Sequence, residues 1–508
     1  MTAQMRGRLG LLFPALFLLS IQSLPYFQHR WVEDESWYSM PAVTLLQTGE
    51  LRNPALPATD SESHVDTRPP LMPLSIAAAF RLIGVSATAA RLGQFLAALL
   101  TLLVVYAIGR ECGDPLAGGV AALILSADNF FVISSRTARP EVWVALMGAC
   151  GLSLLLRSQN TRSWRTAFLA GVVVALGCLF HVHGLGIFLG LSIVLLLQER
   201  NNLFRSPRSY AYVAGFCLAM LPFLVWLALT PEHLTAAAHM YGKGGGRTIA
   251  EMLAKEESRL LDLLGVSNQR LHLPIPVPLR LHIVLAFTAA FAVLWRSRRP
   301  LFWMLLAVIA SELLWFVYLP NETARYYAVI APLLALSAGL AVSALSDTKW
   351  KHLGIAIAVL CVISQLAGTA IFLNQARKAD YPALSTRLRE VVPAGHSCYA
   401  AMAFQLALFD RQCHSYDRTP FAYTVTVQRP EYMVLGDRVM MRGSGFGHDD
   451  YADARNGSFA FVARHGSLVA RIDDDFYGDL QIYRVNYDGN DDGSPKRATA
   501  PAGPAVHP

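Results

Sequence analysis

Charge is scarce in this 508-residue chain: Asp, Glu, Lys and Arg make up only 16% of it, against 54% for the hydrophobic residues. A soluble protein of this length carries roughly a quarter charged residues, so that class is excluded. The seven cysteines form no CxxC pair and no metal-ligand spacing, which excludes a zinc ribbon or a thioredoxin-type redox centre. Walker and Rossmann glycine signatures are missing, and so is any internal repeat of solenoid length. Basic residues outnumber acids, 43 to 36, for a formal net charge of +7. They fall in short clusters between apolar runs, which argues against a nucleic-acid partner and for membrane orientation.

What fills the chain is a series of apolar runs near the ~20 residues that cross a bilayer. Spans are expected at residues 10–28, 89–109, 114–133, 141–157, 165–181, 184–198, 210–229, 279–296, 301–319, 326–346 and 352–373. That is about eleven crossings, and a signal peptide with a secreted domain cannot account for the repetition. With the N-terminus inside, the cytoplasmic loops carry Arg6 and Arg8, then Arg110, then Arg157, Arg162 and Arg165, then Arg200, Arg205 and Arg208. Arg296, Arg298 and Arg299 follow, and then Lys349 and Lys351, so every such loop is basic, as the positive-inside rule requires. Residues 70–84 are apolar but short, with Pro73 and Arg81 inside; they read as an interfacial helix, as do residues 36–49.

The fold class expected is therefore a multi-span all-α membrane protein with two external surface helices, followed by a small periplasmic α/β domain. Residues 1–375 form the transmembrane part and 376–487 the tail domain, where alternating runs such as 431–436, 458–464 and 479–487 read as strands. Residues 488–508 lack apolar periodicity and read as disordered. A glycine-rich stretch at 242–247 reads either as a mobile loop over a site or as a plain linker. Cys398 and Cys413, both in the tail, make a disulfide conceivable in an oxidising compartment.

Unusual polar residues converge on the outer face. Glu33, Asp34 and Glu35 follow the first span; they read either as a helix start favoured by the dipole or as a carboxylate base that takes a proton from an acceptor hydroxyl. Arg136, Arg139 and Glu141 occupy the next external turn, where an acid can orient hydroxyls and arginine forks can answer phosphate. Arg68 and Arg325 sit at the same face, either snorkelling or neutralising a leaving phosphate. His181 and His183 read as interfacial histidines; Asp128 is a minor candidate inside its span, and Glu312 reads as structural.

In this order and topology the motifs resemble the GT-C superfamily of membrane glycosyltransferases. The likeness is to glycosyltransferase family 39, the dolichyl-phosphate-mannose protein mannosyltransferases and bacterial aminoarabinose transferases. It covers roughly residues 10–375 and rests on Asp34-Glu35 after the first span, Arg68-Pro69-Pro70-Leu71, Glu141 in the second turn and Arg325-Tyr326 before a late span. The family more often has lysine at the place of Arg68 and aspartate at that of Glu141, departures that keep the charge and leave the substrate open. The resemblance implies inverting transfer of a sugar from a polyprenyl monophosphate to an acceptor nucleophile. Asp34, Glu35 and Glu141 would be the catalytic acids, and Arg68, Arg136, Arg139, Arg325, Tyr326 and His183 the substrate contacts. It also implies a bacterial inner-membrane location with a periplasmic catalytic face, membrane lipid and an unidentified periplasmic acceptor as partners, and room for a divalent metal, although no motif supplies a cage. The rivals are a lipid-linked sugar transporter or flippase, which should concentrate its charges near the midplane, and a membrane scaffold.

Overall fold

In the computed structural model, residues 10–53, 69–112, 114–230, 277–318, 324–415, 424–436 and 448–487 are described, with a few isolated positions besides. The expected glycine-rich loop at 242–247, Arg68 and the tail after 487 lie outside the described residues.

Each of the eleven apolar runs forms a helix. They are α1 (Leu12–Ser23), α4 (Ala87–Glu111), α5 (Pro115–Ala127) continued by α6 (Asn129–Ser135), α7 (Glu141–Thr161), α8 (Trp164–Phe180), α9 (Gly184–Glu199), α10 (Pro207–Leu229), α11 (Val277–Ser297), α12 (Arg299–Tyr318), α13 (Ala331–Ser346) and α14 (Lys351–Ala376). Among the described residues five helices are long and apolar enough to cross a membrane, or six if the bent α5–α6 pair is one span. The two shorter elements expected to lie outside the spans are α2 (Glu33–Thr48) and α3 (Leu71–Ile83), which pack on each other.

Small residues let these helices approach. A Cβ on Gly171 would lie 2.0 Å from the Tyr212 carbonyl oxygen, and one on Gly215 2.2 Å from that of Phe168, so α8 and α10 meet backbone to backbone. At the basic-loop end, buried polar staples take over. Arg208 pairs with Glu199 and donates to Ser158 Oγ at 2.8 Å, and Arg298 reaches Asp114 at 2.8 Å. Asp114 also caps α5 through the Ala117 N–H.

Three expectations are corrected. The segment 114–133 is not one straight span but bends by 69° at Asp128. Its carboxylate caps α6 by accepting from Phe131 N at 2.9 Å, while Gln365 of α14 donates to it and accepts from Asn129 N. Residues 326–330 do not begin a span: Ala324–Val329 is a 3-10 turn, and Pro332 opens α13. Finally α2 does not lie on the surface, since residues 35–43 are all buried.

Besides α3, the tail covers α2, through the 3-10 turn Met402–Phe404. After α15 (Tyr381–Val391), a five-stranded mixed sheet runs in the order β2-β1-β3-β5-β4. Its strands are β1 (Ser397–Ala400), β2 (Gln412–Ser415), β3 (Tyr432–Gly436), β4 (Gly466–Asp474) and β5 (Gly478–Val485). The expected strand at 458–464 is instead part of α16 (His448–His465). Ser458 and Val462 are buried one helical turn apart, and Phe461 meets His465 ring to ring at 4.7 Å, so the apolar residues follow the helical period despite their apparent alternation. Cys398 and Cys413 are free, buried thiols directly opposite each other on β1 and β2.

Candidate active site

The site is assembled where α2 starts, beside the turn from α6 to α7. Val32 is extended and Glu33 begins the helix, so three acids occupy its first turn, where the dipole favours negative charge. Asp34 and Glu35 then diverge completely. Glu35 is fully buried and saturated: Arg91 Nε and Nη2 both donate at 2.7 Å, Ala138 N at 2.7 Å and Val32 N at 3.1 Å. Arg91 itself, 2% exposed, continues to the carbonyls of Tyr26, Phe27, His29 and Arg30. One guanidinium thus ties α4 to the whole strand of chain between α1 and α2.

Asp34 keeps 38% of its side chain exposed and pairs with Arg139 Nη1 at 2.6 Å. Arg139 turns its other face to Glu141, donating from Nε at 2.8 Å and Nη2 at 2.6 Å. Glu141 sits at the first turn of α7 behind Pro140, almost wholly buried. Burial disfavours the Arg139 charge, but the carboxylates of Glu141 and Asp34 outweigh it and raise the guanidinium well above its ordinary range. Arg136, also buried, lies over the Tyr26 ring at 4.8 Å. Burial and the neighbouring Arg91 push it down to about 9, which leaves it charged at neutral pH.

Tyr326 closes the other side, its ring 6.0 Å from the Arg139 guanidinium and 4.3 Å from the His183 ring. His183 stacks on His181 at 4.9 Å, and Glu312 of α12 lies 3.0 Å from its Nδ1. Among the expected site residues, the structure brings together Asp34, Glu35, Arg136, Arg139, Glu141, His183 and Tyr326. Arg325 is in the 3-10 turn beside Tyr326, with its side chain outside the described residues, as Arg68 is altogether. Two participants escaped the sequence reading: Arg91, and Trp31 just before the acids. An arginine inside the expected span 89–109 was the available signal, because an intramembrane charge needs a partner.

Asp128 is engaged at the helix break by Phe131 N and Gln365. Among the described residues no group of three or more His, Cys, Asp or Glu side chains is placed to hold a metal ion.

Residues 67–226 match the family model described as dolichyl-phosphate-mannose-protein mannosyltransferase. In three dimensions the chain is similar to ArnT from Cupriavidus metallidurans in the apo state, with a TM-score of 0.66 at 13% identity over 95% of this chain and 99% of that one. The same protein bound to undecaprenyl phosphate gives 0.66 at 14% identity, over 96% and 99%. The archaeal oligosaccharyltransferase AglB from Archaeoglobus fulgidus, in complex with an inhibitory peptide and a dolichol-phosphate, gives 0.57 at 14% identity, over 92% and 73%. No curated protein matches in sequence. At these identities the likeness is one of fold, and together with the family match it bears out the resemblance to GT-C glycosyltransferases drawn from the motifs.

Proposed function

We propose that this chain is an inverting glycosyltransferase that moves a sugar from a polyprenyl-phosphate donor to an acceptor on the extracytoplasmic face of a bacterial inner membrane. The observation that carries this reading is the unequal pair Asp34 and Glu35. Glu35 has every lone-pair direction taken, so it serves as an anchor; Asp34 retains an exposed face and a counter-charge that is shared with Glu141.

In the proposed step Asp34 takes the proton of an acceptor hydroxyl. The acceptor oxygen bonds to the anomeric carbon from one side while the bond to the phosphate oxygen breaks on the other, and the polyprenyl phosphate leaves with the electron pair. Arg139 orients Asp34 through a fork whose second tine is fixed on Glu141, a geometry that lysine cannot reproduce. Arg136, Arg325 and Arg68 are assigned to the departing phosphate, where guanidinium forks stabilise developing charge. Tyr326 and His183 form the aromatic wall against which a sugar packs. The donor's lipid tail lies between helices, which is why its phosphate reaches the site at interface depth. The tail domain packs on α2 through its 3-10 turn Met402–Phe404.

The broken helix at Asp128 is the one feature that favours transport, since transporters build their sites on discontinuous helices. Its polar groups, however, are engaged by Gln365 and by the cap of α6, and the open carboxylate lies elsewhere, at Asp34. The test is transfer of label from a panel of polyprenyl-phosphate sugars to membrane extracts in proteoliposomes. Wild type labels an acceptor, and Asp34→Asn loses about a thousandfold in rate, within the range expected for a general base. Label transfer by Asp34→Asn at the wild-type rate removes Asp34 from the mechanism. Lipid flipping without any transfer turns the reading to transport.

A further inference from the structure

We infer that the C-terminal sheet positions Asp34 through the contact of Tyr477 with Trp31, so that Tyr477 is a positioning residue for the transfer reaction. The inference rests on the assignment of Asp34 as base and adds to it a role for the tail, which neither motif nor composition assigns.

Tyr477 lies in the turn between β4 and β5, and the turn is set before the side chain emerges. Asp474 Oδ1 accepts from the N–H groups of both Phe476 and Tyr477 at 2.8 Å, and Gly478 follows at φ +82°, a conformation that a side chain would strain. The phenol points away from the sheet into the helical part of the molecule and is 3% exposed. Its hydroxyl accepts from Trp31 N at 2.9 Å and donates to Trp31 O at 2.7 Å. A single hydroxyl therefore satisfies both main-chain groups of one buried residue, 446 positions away in the chain.

Trp31 carries that constraint to the acid. It is wholly buried, its ring stacks on Tyr381 at 5.6 Å and meets the Arg91 guanidinium at 5.1 Å. Its Nε1 donates to Ser36 Oγ at 2.8 Å. Trp31 and Ser36 bracket Asp34 in sequence, so positions two residues before the helix start and two residues after the acid are tied to each other and, through Tyr477, to the sheet. The same stretch is pinned again by the sheet side where Tyr381 N donates to Gln28 O and Arg30 N to Ala379 O. Arg91 and Glu35 hold it from the membrane side. With Tyr477 in place the start of α2 has one position; without its hydroxyl, two buried main-chain groups lose their partner and the turn before Asp34 relaxes. A base displaced by about 1 Å from its reacting geometry loses up to about a hundredfold in rate while donor contacts elsewhere persist.

Tyr477→Phe keeps the ring that packs edge-on against Phe404 and removes only the hydroxyl. In proteoliposomes with a polyprenyl-phosphate sugar donor, we expect its kcat per folded molecule to fall about tenfold with the donor KM unchanged, the normalisation to folded protein separating this from a loss of stability, which lowers only the folded fraction. Tyr483→Phe, which removes a hydroxyl from the same sheet bonded to Gln481, should leave both constants at wild-type values. Ser36→Ala, which cuts the second tie and serves if Tyr477→Phe does not fold, should lower kcat about threefold in the same pattern. A Tyr477→Phe kcat within twofold of wild type, or a fall in kcat matched by an equal rise in KM, overturns the inference while Asp34→Asn remains inactive. An active Asp34→Asn overturns instead the assignment beneath it.

Discussion

The two ends of the helical bundle both carry buried arginine–carboxylate clusters, and one helix touches both. Glu141 opens α7 beside Arg139, and Ser158, some 25 Å further along the same helix by its rise per residue, accepts from Arg208. At the Arg208 end the chemistry is closed: the guanidinium and Glu199 are almost wholly buried, and Gln198 and Ser158 take up further donors. At the Arg139 end the same materials stop short of closure, because Asp34 keeps an exposed face while Glu35, Glu141, Arg91 and Arg139 do not. The lesson is that burial of charge alone does not mark a site here. The mark is one carboxylate left partly exposed in a cluster whose other members are buried and held by hydrogen bonds, which is what preorganised chemistry requires.

The sharpest way to break the comparison is at Arg91. Arg91→Ala strands the buried Glu35 carboxylate and frees four main-chain carbonyls of residues 26–30, and breaking a buried pair costs about 3–5 kcal/mol. The expected result is a large fall in yield and in the unfolding temperature of detergent-solubilised protein. Wild-type stability in that variant would mean that Glu35 is held by its backbone donors alone. Arg208→Ala at the opposite end strands fewer partners, Glu199, Ser158 and Gln198, and should cost about 3 kcal/mol, the low end of that range. Its folded fraction should turn over at the wild-type rate; a loss of kcat per folded molecule would show the two ends to be coupled along α7.

The eleven helices were legible because apolar length is a local property of the chain, and it survives folding unchanged. The acids after the first span and the Arg139–Glu141 turn were legible too, since charge at an apolar boundary is conspicuous. What stayed hidden depends on partners far off in sequence. Nothing near Asp128 foretells Gln365, so the bend at the top of α5 reads as a continuous span. Nothing near residue 33 foretells that the tail turn Met402–Phe404 will pack on α2, and Trp31 looks like any interfacial tryptophan until Tyr477 is seen on its main chain. Residues 458–464, inside the helix at 448–465, read as a strand because a run of seven residues with two phenylalanines fits either period, and the buried pair Ser458 and Val462 decides between them.

The smallest of the expected effects tests how far the open cluster extends. Glu312 was read as structural, and in the folded chain it lies 3.0 Å from His183 Nδ1, with Gly186 so near that a Cβ there would be 2.1 Å from its Oε2. His183 in turn faces Tyr326, whose ring borders Arg139. If this chain of contacts does no more than fix the His183 ring, a neutral amide that still accepts a hydrogen bond should suffice in place of Glu312. Glu312→Gln should then keep transfer within about twofold of wild type, whereas Glu312→Leu, which leaves the imidazole without that acceptor, should lose about fivefold, in line with the loss of one buried hydrogen bond. Both variants are read by steady-state transfer at saturating donor. Equal activity in the two would detach His183 from the site, and loss of activity in Glu312→Gln as deep as in Asp34→Asn would extend the working cluster to a second carboxylate, contrary to the division between an open acid and its closed supports.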